Sequence, residues 1–284
     1  MEEAIKKAKV LMEALPYIKS FYDKTVVIKY GGSAMIDEDL KRNVIQDIIF
    51  MEYVGMYPIV VHGGGAQISE LMKKLGKKPK FIKGMRITDK ETAEIVEMVL
   101  DGKINSEIVQ LINKNGGNAA GLSGKDGNLI RAKKLLGEKG EDMGYVGEVE
   151  SINPGIIDVL GKQDFIPVIS PIGLGRDGHT YNMNADLVAG EIAAALKAHK
   201  LVLLTDVKGI YKSKKTILST LKIEDAKKLI EKGVIERGMI PKVKACVTAL
   251  KAGVAKTHII DGRIPHSLLL EIYTDKGIGT EIVK

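Results

Sequence analysis

The sequence predicts an α/β protein: a three-layer α/β/α sandwich with a mostly parallel central sheet, divided into two lobes. Three observations carry this expectation. First, TVVIKY (25–30), PIVVH (58–62), FIPVIS (165–170), LVLLTD (201–206) and THIID (257–261) are near-continuous apolar runs, as strands covered on both faces are. Second, helical periodicity follows the first two runs and returns at 184–198, 223–232 and 241–252. Third, the alternation of the two types, broken only over about 79–152, calls for crossover helices on both sides of a mostly parallel sheet.

Over residues 1–20, Ile5, Ala8, Leu11, Met12, Leu15 and Ile18 form an amphipathic stripe that Pro16 should interrupt or kink. Such a leading helix ordinarily packs on its own core; the sharper reading docks it on another subunit. The first strand passes through Lys29 into Gly31-Gly32, then into a helix with Leu40, Val44, Ile45, Ile48 and Ile49 on one stripe. The second repeats the scheme through Gly63-Gly64-Gly65 and a helix bearing Ile68, Leu71, Met72 and Leu75. PKFIKGMRIT (79–88) reads as a hairpin around Lys83-Gly84. Thr88 with Glu91 reads as a capping box for a helix from Asp89 to about Asn113. Residues 128–135 and 144–152 read as antiparallel strands of a lid or substrate lobe. The Gly-dense turn at 173–178 marks a lobe boundary.

Composition narrows the function. A chain of 284 residues with 45% hydrophobic and 28% charged side chains is globular. No run is long enough to span a membrane, and the N-terminus lacks the features of a secretory signal. The one cysteine, Cys246, reads as a small core residue, and a cytoplasmic location is expected. The net charge of +7 is spread among interleaved Lys and Glu, with no Trp and 4 Phe to stack bases, so nucleic acid is not the expected partner.

No Gly-x-x-x-x-Gly-Lys-Ser/Thr loop occurs. Gly173, Gly175 and Gly178 have dinucleotide spacing, but the following residues look extended rather than helical, so they form a decoy. The two strand–glycine–helix junctions say more. Glycine lets backbone approach an anion, and the next helix offers free N–H groups and a positive dipole end. One such junction is weak evidence; two, the first led by Lys29, point to phosphate chemistry. Asn182, Asn184 and Asp186 lie on alternate positions at a strand-to-helix junction and can face one way, although Asn184 is equally a plain N-cap. Pro241 and Lys242 sit at a helix start, where the lysine could simply be solvated. Arg86 in the hairpin has a fork that suits a carboxylate, against the commoner surface role.

Together, VVIKYGGSAM, IVVHGGGAQIS, FIKGMRIT, YNMNADLVAGEIA, LLTDVKGIY and RGMIPKV resemble the amino acid kinase family, from about Ala8 to Ile282. The RIT, Asn-Met-Asn-Ala-Asp and GMIPKV strings resemble its members that phosphorylate the γ-carboxylate of N-acetyl-L-glutamate. EALPYIKSF resembles the extra helix of their arginine-inhibited, hexameric branch. The resemblance implies the fold of that family and ATP with Mg²⁺, the ion carried mainly by phosphates and water, with no protein metal ligands. It implies Lys29 and Lys242 as catalytic groups held by Asp186. Gly64, Gly65, Arg86, Asn182 and Asn184 would bind substrate. Gly31, Gly32, Asp206, Val207, Lys208, Gly209, Ile210, Tyr211, Val234, Ile235 and Glu236 would bind ATP. Tyr17, Glu271 or Asp275, Gly277 and Gly279 would bind inhibitory arginine. It implies a homo-oligomer, a dimer or a hexamer assembled through the leading helix. The corresponding divisions are residues 1–22 for oligomerisation and regulation, 23–175 for acetylglutamate binding and dimerisation, and 176–284 for ATP. Two alternatives stay open: a carrier-protein-linked aminoadipate or glutamate carboxylate kinase of the same fold, and a catalytically idle arginine-binding regulator.

Overall fold

Each apolar run expected to be a strand of the central sheet is one. The computed structural model describes residues 1–82, 84–213, 216–274 and 277–284. The chain begins with α1 (Glu2–Phe21). β1 (Thr25–Tyr30) and β2 (Tyr57–His62) are joined through a 3₁₀ turn at Gly32–Met35 and α2 (Glu38–Tyr53), and β2 leads into α3 (Gly65–Lys74). A hairpin of β3 (Phe81–Ile82) and β4 (Met85–Arg86) precedes a helical rod made of α4 (Lys90–Glu97), a π-helical segment (Met98–Asn105) and α5 (Ser106–Lys114). Next come β5 (Ala119–Ser123), β6 (Ile130–Leu136), β7 (Asp142–Ile152), α6 (Gly155–Gly161), β8 (Ile166–Ser170), β9 (Ile172–Gly175), β10 (Thr180–Asn182) and α7 (Ala185–Ala195). The last third runs β11 (Lys200–Thr205), β12 (Tyr211–Ser213), β13 (Thr216–Ile217), β14 (Thr220–Lys222), α8 (Ile223–Glu231), α9 (Met239–Lys251), β15 (Lys256–Asp261), α10 (Ser267–Ile272) and β16 (Thr280–Val283).

Eight strands form the central sheet in the order β14-β16-β15-β11-β1-β2-β8-β5, parallel except where β16 runs against β15. From β1 the chain builds outward through β2, and after β8 it returns to build the other side from β11. The β1–β11 pair is therefore a topological switch point, where crevices open at the carboxyl ends of strands in sheets of this kind. Strands β10, β7, β6 and β9 close into a small barrel beside the sheet. The glycine-spaced turn between β9 and β10 lies within an antiparallel pair, not at a strand-to-helix junction, so it is the decoy the sequence suggested.

Two cores flank the sheet. Val26, Ile28 and Tyr30 of β1 face the one containing α2 and the π segment; Val27 faces the other, with Val188 and Ala189 of α7 and Val243 of α9. Strand periodicity of two then places Lys29 on the α7–α9 side. Cys246 is buried in that second core.

Three expectations change. Asp89, not Thr88, caps the rod, its carboxylate accepting from the Thr92 N–H at 2.8 Å. Thr88 is committed to strand-like pairing, donating its N–H to Met143 O at 3.0 Å while Tyr145 N–H donates to its carbonyl at 2.6 Å. The rod itself is not regular, since its middle widens into π geometry over Met98–Asn105. Finally, α1 runs through Pro16 instead of stopping there. Its apolar stripe is not covered by the chain's own core: Leu11 is 68% and Met12 65% exposed, and only Phe21 is buried.

Candidate active site

Lys29, Asp186 and Lys242 meet. Lys29 comes from the end of β1, Asp186 from the first turn of α7, and Lys242 from the first turn of α9. The helices are held close because Gly190 has no side chain: a Cβ there would lie 2.9 Å from that of Ala245 and 2.8 Å from its backbone. Asp186 lies one helical turn before Gly190, and Lys242 about one turn before Ala245, so the crossing sets their approach. Lys242 Nζ is 2.7 Å from Asp186 Oδ2, and Lys29 Nζ is 3.2 Å from Oδ1. All three side chains are at most 14% exposed. Burial alone would raise the Asp186 carboxyl, but the charges of Lys29 and Lys242 outweigh it and hold the pKa below the usual carboxylate range. Burial lowers the Lys29 ammonium, and Lys242 lowers it further, against the pull of Asp186. Among the described residues, Asp186 Oδ1 has no aligned hydrogen-bond donor. This is one carboxylate keeping two cations together in a drying site, with net positive charge left for an anion.

The first glycine loop borders this cluster. A Cβ on Gly31 would lie 2.5 Å from Lys29 Nζ. Gly32 has φ +76°, a left-handed conformation that favours glycine, and a Cβ there would lie 2.4 Å from Asp206 Oδ1. That oxygen accepts from both the N–H and the hydroxyl of Ser33, each at 2.7 Å. Asp206 thus reaches from the end of β11 across the switch point to the first glycine loop. Of the other residues assigned to ATP, Val207, Tyr211 and Val234 are partly exposed, while Ile210 and Ile235 are buried in the second core. Those two isoleucines offer no side chain to a ligand, and the Ile210 N–H already donates to Thr280 Oγ1 at 2.8 Å. Lys208 and Glu236 are exposed, and Gly209 is packed on Thr280.

The second loop carries Gly64, the N-cap of α3, and Gly65, its first residue. Arg86 is not a surface arginine. It is 7% exposed, stacks 4.8 Å from the centroid of Phe81, and donates to Gly65 O and Ser69 Oγ at 2.8 Å each. Among the described residues no carboxylate pairs with it. Burial lowers its pKa, which is the signature of a desolvated cation lacking a counter-ion. Asn182 Nδ2 donates to Thr88 Oγ1 at 3.3 Å, and Thr88 Oγ1 donates to Arg86 O at 2.8 Å, so the barrel and the hairpin are tied together here. Asn184 is the plain N-cap, its Oδ1 accepting from the N–H groups of Asp186 at 2.9 Å and Leu187 at 3.2 Å. It also lines a cavity of about 940 Å³ between β7, α7, α8 and α9, which contains neither lysine of the cluster.

The residues assigned to arginine lie at the other end of the sheet. Tyr17 stacks edge-on to Tyr273 with centroids 6.2 Å apart. Glu271 is buried and accepts from Lys200 at 2.7 Å, His258 at 2.9 Å and the Ile278 N–H at 2.8 Å. Burial alone would raise it, but the His258 hydrogen bond and the Lys200 charge hold it low. Gly277 and Gly279 have φ of +55° and +81°. Asp275 lies outside the described residues. Lys200 and His258 were not legible as partners of Glu271, because a strand pattern in sequence does not distinguish a buried lysine or histidine from an exposed one.

The family profile described as Amino acid kinase family matches residues 24–261. An acetylglutamate kinase of Syntrophus aciditrophicus is 56% identical over 292 residues, covering 100% of this chain and 99% of that one. The acetylglutamate kinase of Moorella thermoacetica is 56% identical over 289 residues, covering 98% of each. Among solved structures, an N-acetylglutamate synthase from Neisseria gonorrhoeae complexed with coenzyme A and N-acetyl-glutamate aligns with a TM-score of 0.87 at 26% identity, over 98% of this chain. The present chain spans 63% of that synthase. A carbamate kinase from Giardia lamblia bound to AMP-PNP shares the fold, with a TM-score of 0.66 at 19% identity over 92% of this chain and 99% of that one. With two glycine loops and a lysine–aspartate–lysine cluster at one switch point, and relatives matched over its whole length, this chain belongs to the amino acid kinase family.

Proposed function

We propose that the chain transfers the γ-phosphoryl group of ATP to the γ-carboxylate of N-acetyl-L-glutamate, a step of arginine biosynthesis. The products are ADP and N-acetyl-L-glutamyl 5-phosphate. The observation that carries a phosphotransfer reading is the Lys29–Asp186–Lys242 cluster between two glycine loops; the acetylglutamate kinases matched end to end supply the substrate. An idle arginine-binding regulator would have no use for two buried lysines on one carboxylate.

The chemistry is governed by repulsion. A carboxylate is already a nucleophile and needs no base, so the protein's task is to hold two anions together and neutralise the charge that builds up between them. Lys29 and Lys242 lie where they can touch the transferring group, and Asp186 keeps their spacing. Gly31 and Gly32 offer backbone N–H groups to the nucleotide phosphates; Gly64 and Gly65 receive the γ-carboxylate. Arg86, buried with no counter-ion among the described residues, pairs with the α-carboxylate, and Asn182 holds the acetylamino group. Asp206–Tyr211 and Val234–Glu236 border the nucleoside by backbone and exposed side chains. Mg²⁺ would arrive on ATP and neutralise its phosphates; among the described residues no cluster of three candidate ligands exists, and an ion carried by phosphates and water needs none. Among the described residues no helix is long and apolar enough to cross a membrane; a reaction that consumes ATP suits a cytoplasmic location. In this reading residues 23–175 bind acetylglutamate and residues 176–284 bind ATP.

The test is ADP release coupled to N-acetylglutamate, with free glutamate and free aminoadipate as controls. Turnover should depend on the acetylated substrate. Arg86→Ala should raise its KM by roughly tenfold to a hundredfold, the cost of one charged pairing, with kcat changed far less. An unchanged KM returns Arg86 to a purely structural role.

The finer reading adds arginine feedback and a hexamer. It is supported by the uncovered stripe of α1, by Tyr17 against Tyr273, and by Glu271, which a guanidinium could claim from Lys200. Deleting residues 1–20 should abolish both hexamer formation and inhibition while leaving kcat near normal, read by light scattering and by ADP release with added arginine. A truncated protein still inhibited by arginine sinks this reading.

A further inference from the structure

We infer that His62 and Asn105 are positioning residues for the reacting carboxylate, because together they fix the Gly63–Gly64 peptide and so aim the Gly64 N–H at the substrate. The inference rests on the reading that Gly64 receives that carboxylate.

His62 ends β2 and is fully buried, so it cannot touch a ligand. Its Nδ1 lies 2.9 Å from the carbonyl of Gly63. A carbonyl only accepts, so Nδ1 carries the proton. Its Nε2 lies 3.2 Å from Asn105 Nδ2. That same amide nitrogen stands 2.8 Å from the carbonyl of Val168, which identifies it as the NH₂ group. Nε2 must then be the bare acceptor. The two contacts leave one tautomer, neutral and hydrogen-bonded at both ring nitrogens. Burial pushes the imidazole down to about 4, so it stays neutral at working pH.

The consequence falls on the loop. Gly63 donates its N–H to Tyr30 O at 2.8 Å and accepts from His62 at its carbonyl, so both of its polar groups are tied. In a planar trans peptide the following N–H points opposite to that carbonyl. The Gly64 N–H is therefore directed away from His62, and among the described residues it has no backbone acceptor. A Cβ on Gly64 would lie 2.5 Å from Ile104 Cδ1 and Leu100 Cδ2, so the loop also lies flush on the π segment. That segment ends at Asn105, and a π turn inside an α-helix commonly marks a functional site. Gly121 on β5 leaves room for the Asn105 amide, since a Cβ there would lie 2.0 Å from its Oδ1. Three elements thus converge to hold one asparagine on one histidine on one peptide.

Three substitutions separate aiming from packing. Asn at position 62 places an amide nitrogen near where Nδ1 was, Gln places one near where Nε2 was, and Phe keeps a ring with neither donor. His62→Gln and His62→Phe should lose about tenfold to a hundredfold in kcat, up to the cost of misplacing a catalytic group and below that of removing an oxyanion donor, whereas His62→Asn should stay within about threefold to tenfold. KM for ATP should be unchanged in all three, and thermal midpoints should not follow the order of kcat. Equal losses in the Asn and Gln variants, or full kcat in the Phe variant, would overturn the inference. If the variants do not fold, ¹⁵N spectra of the wild-type histidine rings decide: His62 should show the Nδ1–H tautomer at all pH values from about 5.5 to 8.5, as expected for a neutral buried imidazole. An Nε2–H signature, or titration near the ordinary histidine value, overturns it. A wild-type protein that releases no ADP with N-acetylglutamate would instead defeat the reaction reading, so the two failures are distinguishable.

Discussion

Lys242→Ala is expected to lower kcat by at least about a hundredfold, the loss typical of removing one preorganised donor to a developing charge. The ammonium stands 2.7 Å from Asp186 Oδ2 and is only 14% exposed, so water cannot readily replace it. The fold should survive, because Lys29 remains to pair with Asp186 and the apolar contacts of α9 through Val243, Ala245 and Cys246 are untouched. Loss of turnover without loss of structure is therefore the expected pattern, read by ADP release beside a thermal unfolding curve. Lys242→Arg should recover only part of the rate. Its charge is kept, but a planar fork on a longer stem cannot occupy the place of a compact ammonium. Near-normal turnover in Lys242→Ala would refute the catalytic assignment.

How much of this was legible in sequence depends on the range of the interaction. The strand runs and their glycine junctions were, because apolar content along a buried strand and glycine after it are local signals. The side of the sheet that Lys29 faces also follows from alternation once Val27 and Ile28 are assigned to opposite faces. Its meeting with Asp186 and Lys242 does not follow, since it depends on how closely α7 and α9 cross, and that turns on Gly190 lying against Ala245. Residue-by-residue resemblance supplied that link where periodicity could not.

The misreadings share a cause. Thr88 fits a capping box as a string, but long-range pairing with Met143 and Tyr145 had already claimed its backbone, leaving the cap to Asp89. The bond between Asp206 and Ser33 was not legible for the same reason, since it crosses the switch point between strands far apart in sequence. His62 looks like an ordinary strand end. Its partner Asn105 is 43 residues away and reaches it from the end of a π segment that no α-helical period announces. Strands as short as β9 and β10 carry too few residues for periodicity to register, and they exist because the barrel closes around them.

Asp186→Ala should have the widest effect, touching both stability and rate. The carboxylate is 8% exposed and sits between two ammonium groups. Without it, two buried cations face each other uncompensated, a change that typically costs about 3–5 kcal/mol. Part of this is relieved if Lys29 gives up its proton. Its pKa already lies below the ordinary lysine value through burial and Lys242, and losing Asp186 removes the one strong influence that raised it. The sign follows. In the variant the unfolded chain binds more protons than the folded one between the depressed folded pKa of Lys29 and its ordinary value. Stability therefore rises with pH across that window, and the deficit against wild type narrows in alkali. Activity should not recover in step, since a neutral Lys29 cannot balance a phosphoryl transition state and nothing holds Lys242 to its place. Asp186→Asn keeps the shape and one acceptor, so it should fold better than Asp186→Ala yet still turn over at least about a hundredfold more slowly than wild type. Urea unfolding at neutral and alkaline pH, set beside kcat for each variant, separates the two effects. If Asp186→Ala matched the wild type in stability and rate at neutral pH, the lysine–aspartate–lysine cluster would not be the catalytic centre.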